Sequence, residues 1–250
     1  MKGDGVPLLR VQGLTKRFGG VCALRGLTLF LREGETVGMI GPNGSGKSTF
    51  VNVLSGELRP DAGAAEFRGK ALPLGQPHQI VRMGIARTFQ HIRLYEAETV
   101  WENVRVPALA HYRRLGLRSP DEVVEAALAD VGLLQKAALR AGQLTLYEKR
   151  LLEIAMRLAT RPQLLMLDEP AAGLNAEEIR QLLAFLKALR RRLTLFIIEH
   201  TMRVVVELAD RVVVLSSGEK IAEDTPQAIL VNEEVIRVYL GGVNVNREGS

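Results

Sequence analysis

Short apolar runs alternate with amphipathic segments along most of the chain. The most apolar runs predict buried strands, since each is too short for a buried helix and is bounded by polar residues or turn formers. They lie at 36–40, 164–167, 193–198 and 212–215. Apolar residues at helical spacing predict helices at 48–58, 119–130 and 176–192. Strands that alternate with helices imply an α/β fold with a mostly parallel sheet core.

The remaining segments predict two additions to this core. Mixed segments at 8–18 and 23–31, joined at Gly19-Gly20, predict an antiparallel β layer beside the main sheet, to which 65–69 adds a further strand. A helix-rich stretch over about 91–161 predicts an inserted α-helical subdomain, in which Ser119 precedes Pro120 as a helix N-cap. We therefore expect one domain over 1–250, with a core at about 1–90 and 162–230 and a C-terminal helical tail from about 225 to 250.

The composition, charge and hydropathy of the chain argue against a nucleic-acid-binding protein and against a membrane-spanning one. The 250 residues are 47% apolar and carry a net charge of +5, which is typical of a globular chain with no strong bias toward nucleic acid. The densest basic run, 190–192, follows a predicted helix, where cations favour the negative end of the helix dipole. No apolar stretch has the length that a bilayer requires, and the N-terminus lacks the pattern of a signal peptide. We expect membrane association through partner proteins only.

One glycine-rich motif between a predicted strand and a predicted helix predicts a nucleotide site. Residues 41–49 have the form G-x-x-x-x-G-K-[ST]. Small residues let backbone N–H groups turn toward phosphate oxygens, and the helix N-terminus favours the same anion. The candidate binding residues are Asn43, Gly44, Ser45, Gly46, Lys47, Ser48 and Thr49. The alternative, a glycine turn before a helix with an ordinary surface lysine, requires both the motif and its flanks to be accidental.

Polar residues follow two of the predicted strands. Asp168 and Glu169 end the run at 164–167, at the edge of an α/β sheet where ligands bind. Asp168 is a candidate ligand of Mg²⁺, and Glu169 is a candidate general base for an attacking water. Taken alone, the pair is more typical of a strand end with solvated acids, and it is the phosphate loop upstream that favours the functional interpretation. His200 follows the predicted strand at 193–198, and Gln90 follows residues 85–89. By itself, each is only a weak candidate for a residue of the nucleotide site.

Taken in this order along the chain, these motifs resemble those of the ATP-binding-cassette ATPases that drive membrane transporters. The resemblance covers nearly the whole chain. This family has the P-loop NTPase (RecA-like) fold. The resemblance implies that Phe18 stacks on adenine, that 41–49 is the Walker A motif, and that 164–169 is Walker B with Glu169 as the catalytic glutamate. It also implies that Gln90 is the Q-loop glutamine near water and metal, that 171–175 is the D-loop, and that His200 is the switch histidine. ATP and Mg²⁺ follow as cofactors, with Ser48, Gln90 and Asp168 as metal ligands.

Three sequence segments are similar to those of the branched-chain amino acid importer subgroup, namely 84–90, 168–175 and 235–241. The subgroup implies an ATP-hydrolysing subunit at the cytoplasmic face of the plasma (inner) membrane. Its partners would be transmembrane permease subunits and a second ATPase subunit arranged head to tail, in an importer of branched-chain or other hydrophobic amino acids. The solute itself cannot be read from this chain.

Three other classes of function stay open. The first is an ABC ATPase outside transport, although such relatives usually carry two cassettes or a long coiled-coil insertion, and neither is seen here. The second is a small-molecule kinase with the same phosphate loop. The third is a nucleotide-binding regulatory subunit with weak hydrolysis.

The segment that corresponds to the family signature Leu-Ser-Gly-Gly-Gln departs from it. The chain has Leu144-Thr145-Leu146-Tyr147-Glu148, so that only the leucine and a hydroxyl, on Thr145, are retained. In the family this segment meets the γ-phosphate that the opposite subunit holds. Here Glu148 stands three residues after Thr145, the spacing of a capping box, and its carboxylate would occupy the positive end of the helix. We therefore expect either an ordinary capped helix or a working signature, and the sequence leaves both open.

Overall fold

The computed structural model describes residues 6–113, 116 and 119–240. The chain divides into two compact units. The first unit combines the chain up to Gln76 with the part from Ile197 onward, and the second runs from Pro77 to Phe196. The predicted boundaries of the core and of the helical subdomain stay a prediction.

Ten strands and nine α-helices are found among the described residues. The strands are β1 Leu9–Phe18, β2 Val21–Leu31, β3 Thr36–Ile40, β4 Ala62–Phe67, β5 Lys70–Ala71, β6 Ile85–Arg87, β7 Leu164–Asp168, β8 Thr194–Ile198, β9 Arg211–Ser216 and β10 Glu219–Asp224. The α-helices are α1 Lys47–Leu54, α2 Pro77–Met83, α3 Val100–His111, α4 Pro120–Asp130, α5 Leu146–Leu158, α6 Ala176–Leu189, α7 Met202–Leu208, α8 Pro226–Leu230 and α9 Glu233–Leu240. Two short 3₁₀ turns lie between α4 and α5, at Leu134–Lys136 and Ala141–Gln143.

The antiparallel β layer of the first unit is confirmed. Its four strands have the order β2-β1-β4-β5, and β1 pairs in antiparallel fashion with both β2 and β4. Leu9 lies opposite Leu31 at one end of the hairpin, and Phe18 lies opposite Val21 at the other. The predicted third strand is displaced: β4 covers Ala62–Phe67 rather than 65–69, because Arg68 and Gly69 take positive φ angles and turn the chain into β5.

Parallel pairing in the first unit joins β3 to β9. Val37 lies opposite Arg211 and Ile40 opposite Val214, while β10 returns antiparallel along the other edge of β9. Every residue of β3 is buried, as expected for a strand covered on both faces. The end of β3 shares one apolar cluster with the closing helices, formed by Ile40, Val205, Val212, Val214, Ile229 and Val235. The C-terminal helices therefore pack on the core that supports the phosphate loop.

The second unit contains a parallel pair of strands and the helix-rich stretch. β6 runs parallel to β7, with Ile85 opposite Leu164, and β7 is buried throughout. α3 packs against α4 and α5. Ser119 accepts an N–H at the start of α4 and Asn175 at the start of α6, so both predicted N-caps are confirmed. β8 lies across the boundary between the two units.

Several element limits differ from the prediction. α1 ends at Leu54 rather than 58, because Gly56 takes a φ of 80° and ends the helix. α6 ends at Leu189, and Arg192 instead pairs with Asp130 at 2.9 Å. β10, α2 and α7 were not predicted, since short half-exposed elements give a weak periodic signal. Among the residues that the structure describes, no helix has both the length and the apolarity to cross a membrane.

A half-buried arginine ties β9 to the β layer of the first unit. The Arg211 guanidinium donates from Nε to Glu35 at 2.9 Å and from Nη2 to the Phe30 carbonyl at 2.7 Å, and it also forms an ion pair with Glu223. Its side chain is 14% exposed. The two carboxylates lose much of their hydration here, so that removal of the guanidinium leaves them facing each other without a cation.

We expect Arg211→Met to lower the free energy of unfolding by about 3 kcal/mol, because buried charges lose their partner. Urea denaturation followed by circular dichroism measures the change. The matched control is Arg25→Met, which removes an exposed pair with Glu219 at 4.0 Å and should cost less than about 1 kcal/mol. Equal losses in both variants would show that the Arg211 contacts contribute no more than a surface ion pair.

Candidate active site

The phosphate loop joins β3 to α1. Gly46 is the N-cap of α1, with a φ of 105°, and its carbonyl accepts the Phe50 N–H at 2.9 Å. The Lys47 side chain is only 5% exposed. Its Nζ donates to the Gly41 carbonyl at 2.8 Å and to the Pro42 carbonyl at 3.0 Å. The ammonium charge is therefore held over the loop by the loop's own backbone.

Two glycines of this loop are required by close backbone contacts. A Cβ at Gly41 would lie 2.2 Å from the Leu215 carbonyl oxygen, and one at Gly46 would lie 2.4 Å from the Ala23 carbonyl oxygen. A Cβ at Gly44 would meet nothing within 4 Å. Gly41 and Gly46 therefore fix the loop against its neighbours, whereas Gly44, with a φ of 78°, serves the turn itself.

The other loop residues divide by exposure. Ser45 is buried, and its carbonyl oxygen accepts the Gly218 N–H at 3.0 Å. Asn43 and Ser48 are exposed and Thr49 is half-buried, so all three side chains are accessible to a ligand. The loop thus combines a fixed backbone with accessible polar groups, the combination that a phosphate site needs.

Two supports of the loop were not identified from the sequence. Gly218, in the turn between β9 and β10, also accepts the Arg25 N–H through its carbonyl at 2.9 Å. Tyr239, on α9, lies beside the Gly41 backbone, and burial raises the pKa of its phenol. The glycine turn was visible in the sequence, but nothing in the sequence placed either residue behind the phosphate loop.

Phe18 and His200 also belong to the first unit. Phe18 is 47% exposed at the end of β1, with the Lys16 ammonium 5.6 Å from the ring centre. His200 is exposed in the loop after β8, and its backbone N–H donates to the Glu199 carboxylate at 3.2 Å. Glu199 is 3% exposed and also accepts the Thr201 N–H. This buried acid holds the turn that presents His200, and no pattern in the sequence indicates this role.

The second unit brings three predicted residues together. Asp168 ends β7 and is 3% exposed, and its carboxylate accepts Arg87 Nη2 at 3.1 Å. Gln90 Nε2 donates to Glu169 Oε2 at 3.0 Å. Glu169 has a φ of 48°, a left-handed conformation that is uncommon away from glycine. Strain of this kind, of order 1 kcal/mol or more, concentrates at functional sites, and here it falls on the predicted general base.

Thr145 caps α5, the helix whose N-terminus corresponds to the family signature. Its Oγ1 accepts the Glu148 N–H at 3.3 Å, and the Glu148 carboxylate accepts the Thr145 N–H at 3.0 Å. Lys136 forms an ion pair with the same carboxylate. Although burial alone would raise it, the pKa of Glu148 lies below its ordinary value because of the Lys136 and Thr145 hydrogen bonds. The expected capping box is present, and it places an ionised carboxylate at this helix end.

The neighbouring signature residues make their own contacts. The Leu146 side chain lies against Gly173, where a Cβ would approach it to 3.0 Å. Burial raises the pKa of the Tyr147 phenol, and the Glu178 carboxylate adds to this effect. Side chains therefore stand where the family has bare glycine backbone.

We expect Gly46→Ala to abolish nucleotide binding, because the new Cβ would overlap the Ala23 carbonyl and the φ of 105° disfavours alanine. Titration with a fluorescent ATP analogue measures the loss. Gly20→Ala is the matched control, since a Cβ there meets nothing within 4 Å, and it should bind as the wild type does. Circular dichroism checks that both variants fold. Retained affinity in a folded Gly46→Ala variant would contradict the assignment of the loop.

Comparison with known proteins gives the same family by two routes. The family model described as "ABC transporter" matches residues 24–172, and a model described as "Branched-chain amino acid ATP-binding cassette transporter" matches residues 219–243. The "High-affinity branched-chain amino acid transport ATP-binding protein LivG" of Salmonella typhimurium is 42% identical over 251 residues, which cover 94% of this chain and 98% of the relative.

Solved structures agree with the sequence relatives. The ADP conformation of MJ1267, an ATP-binding cassette of an ABC transporter, has a TM-score of 0.85 at 30% identity and covers 95% of this chain and 100% of its own. A dimeric post-hydrolysis state of the cassette MJ0796, bound to ADP and Pi, has a TM-score of 0.77 at 25% identity and covers 87% of this chain and 98% of its own. The predicted P-loop NTPase fold is thus confirmed. The chain therefore belongs to the ABC transporter family and is one of its ATP-binding cassette ATPases.

Proposed function

We propose that this chain hydrolyses ATP for a transporter that imports branched-chain or other hydrophobic amino acids. The observation that carries the hydrolytic role is the 3.0 Å bond between Gln90 and Glu169, which joins a candidate water-positioning amide to a candidate base. The solute class is supported by the C-terminal family match at residues 219–243 and by the name of the LivG relative.

The phosphate loop would bind the triphosphate of ATP. Backbone N–H groups between Gly41 and Thr49 and the N-terminus of α1 supply the donors, and Lys47 would exchange its two carbonyl contacts for phosphate oxygens. The exposed ring of Phe18 offers a face on which adenine can stack. The exchange by Lys47 costs little, because the ammonium group is already beside the loop.

Mg²⁺ fits the polar groups of the chain. The Ser48 hydroxyl, the Asp168 carboxylate and the Gln90 amide oxygen are hard oxygen donors, which this cation prefers. Arg87 pairs with Asp168 at 3.1 Å and places a positive charge beside its carboxylate. When bound, the cation would neutralise charge that develops on the phosphate oxygens.

Glu169 would accept a proton from the water that attacks the γ-phosphate, while Gln90 orients that water and His200 contacts the phosphate. The bond that forms joins the water oxygen to phosphorus, and the bond that breaks joins the γ-phosphorus to the bridging oxygen, so that ADP and phosphate leave.

A second cassette subunit would complete the assembly. The MJ0796 structure is a dimer, which supports pairing of cassettes as the general arrangement. In this chain the α5 N-terminus carries the Glu148 carboxylate, which repels phosphate. We therefore favour a heterodimer whose partner contributes an intact signature to the site that this chain's Glu169 serves.

Attachment to the membrane would follow from a permease. We place the chain at the cytoplasmic face of the inner membrane, held there by transmembrane subunits that its movement drives. A regulatory cassette with weak hydrolysis is the second candidate, and the charged cap at Glu148 is the observation that favours it.

We expect Glu169→Gln to reduce ATP turnover by about 100-fold or more while ATP still binds, because an amide cannot accept the proton. Phosphate release is measured against protein concentration, with the purified chain alone and with a second cassette subunit. Glu219→Gln, at an exposed carboxylate, is the control and should behave as the wild type. Substantial turnover in Glu169→Gln would remove this residue from the catalytic role.

We expect the double substitution Tyr147→Gly and Glu148→Gln to raise the ATP turnover of the chain alone about tenfold. The change removes a carboxylate that disfavours phosphate binding at the helix N-terminus by about 1 kcal/mol or more. The measurement is the same phosphate assay at high protein concentration. Glu177→Gln, at the exposed start of α6, is the control. If the wild-type chain alone already turns over as fast as with a partner, the capped helix end is not inhibitory.

A further inference from the structure

The segment that carries Gln90 has no regular secondary structure. Residues 89–93 follow β6 and precede α3, and they belong to neither a helix nor a strand. An irregular backbone must find partners for its N–H and C=O groups outside any ladder. Helix α5 supplies several of them, through two charged residues one turn apart.

Glu153 holds this segment by the Phe89 N–H group. The side chain is fully buried, and Oε1 accepts the Phe89 N–H at 2.9 Å. Burial raises the pKa of Glu153, against the Phe89 hydrogen bond and the charges of Arg157 and Arg150. One buried carboxylate therefore holds the residue directly before Gln90.

Arg150 holds the same segment by its carbonyl groups. Its guanidinium donates from Nη1 to the Phe89 carbonyl and from Nη2 to the Gln90 carbonyl, each at 3.1 Å. It also lies 3.8 Å from the Glu153 carboxylate, on the same face of α5. The planar guanidinium group makes two bonds at once, which fixes the direction of the peptide that it contacts.

The Phe89 side chain is held by further guanidinium groups. Arg93 lies 3.7 Å from the ring centre, Arg87 at 4.6 Å and Arg157 at 5.5 Å. Stacking of this kind stabilises the ring position. The residue directly before Gln90 is thus held at its amide, its carbonyl and its ring.

Charged residues in the buried face of a helix cost stability. α5 buries Leu151, Leu152, Ile154 and Ala155 around these two residues, and apolar side chains of similar size would spare the chain the loss of hydration. A buried charge pair whose bonds go to the backbone of one loop is therefore better explained by control of that loop than by stability of the fold.

We propose that Arg150 and Glu153 are positioning residues that hold the Gln90 backbone so that its exposed side chain stays on Glu169. The inference rests on the proposed roles of Gln90 and Glu169. A glutamine has three side-chain torsions, so a contact made from a mobile backbone would be lost for much of the time. Because one helix carries both residues, α5 and the Gln90 segment move together.

The test compares Arg150→Met, Arg150→Lys and Glu153→Gln with the wild type, in the assembly that gives full turnover. We expect Arg150→Met and Glu153→Gln to lower kcat about 10- to 100-fold with KM for ATP within about twofold, because misplacement of about 1 Å costs this much. The kcat of Arg150→Lys should lie between those of Arg150→Met and the wild type, since an ammonium group reaches only one of the two carbonyl groups. Amide hydrogen exchange over 89–93 should be faster in all three variants.

Two controls separate positioning from folding. Arg105→Met removes a half-exposed guanidinium that pairs with Glu102 and Asp121, and it should leave kcat and exchange over 89–93 unchanged. In a Gln90→Ala background, Arg150→Met should give no further loss of kcat, because the group that it positions is gone. A purely structural role predicts that the two losses multiply.

The outcomes distinguish this inference from the proposed function. Wild-type kcat in Arg150→Met and Glu153→Gln, with Glu169→Gln inactive, would overturn the positioning role and leave the ATPase assignment standing. Independent losses in the Gln90→Ala background would overturn it as well, as would unchanged exchange over 89–93. A wild-type assembly without turnover would instead overturn the proposed function, and the positioning role with it.

Discussion

The close approach of the backbone around the phosphate loop is the constraint on which the first unit depends. The loop passes so near the Leu215 and Ala23 carbonyls that side chains at Gly41 and Gly46 have no room. That closeness lets backbone N–H groups, rather than flexible side chains, define the anion site, and backbone donors lose little entropy on binding. β3, the turn at Gly218 and the closing helices serve to hold this loop in place.

The second unit is organised by buried charge. Arg87 pairs with Asp168, while Arg150 and Glu153 bond to the backbone beside Gln90. Each group loses hydration that its partner only partly restores. Most of these bonds converge on the residues from Arg87 to Gln90 and on the end of β7. The buried charges therefore lower the stability of the fold, but their bonds fix the positions of Gln90, Asp168 and Glu169.

The N-terminus of α5 shows how few residues separate an anion site from a capped helix. The positive end of the helix is present in either case, because it follows from the alignment of the peptide dipoles. Here Glu148 and Thr145 satisfy each other's N–H groups, and Lys136 balances the carboxylate within the same unit. The same helix that gains this cap also holds the Gln90 segment, so the two features belong to one rigid element.

The sequence by itself determined the family, the fold class and the identity of the local motifs. These motifs are local patterns, which depend only on residues close together in the sequence. They are the strict spacing within Gly41–Thr49, the buried run that ends at Asp168, and the helix caps at Ser119, Thr145 and Asn175. Only the tertiary structure decided which distant residues support them. Such residues are Gly218 and Tyr239 behind the phosphate loop, and Arg150 and Glu153 against Phe89, with up to about 200 residues between the partners. No periodicity records such a pairing, because a buried charge on an amphipathic helix has the same spacing whether it bonds a loop or faces water.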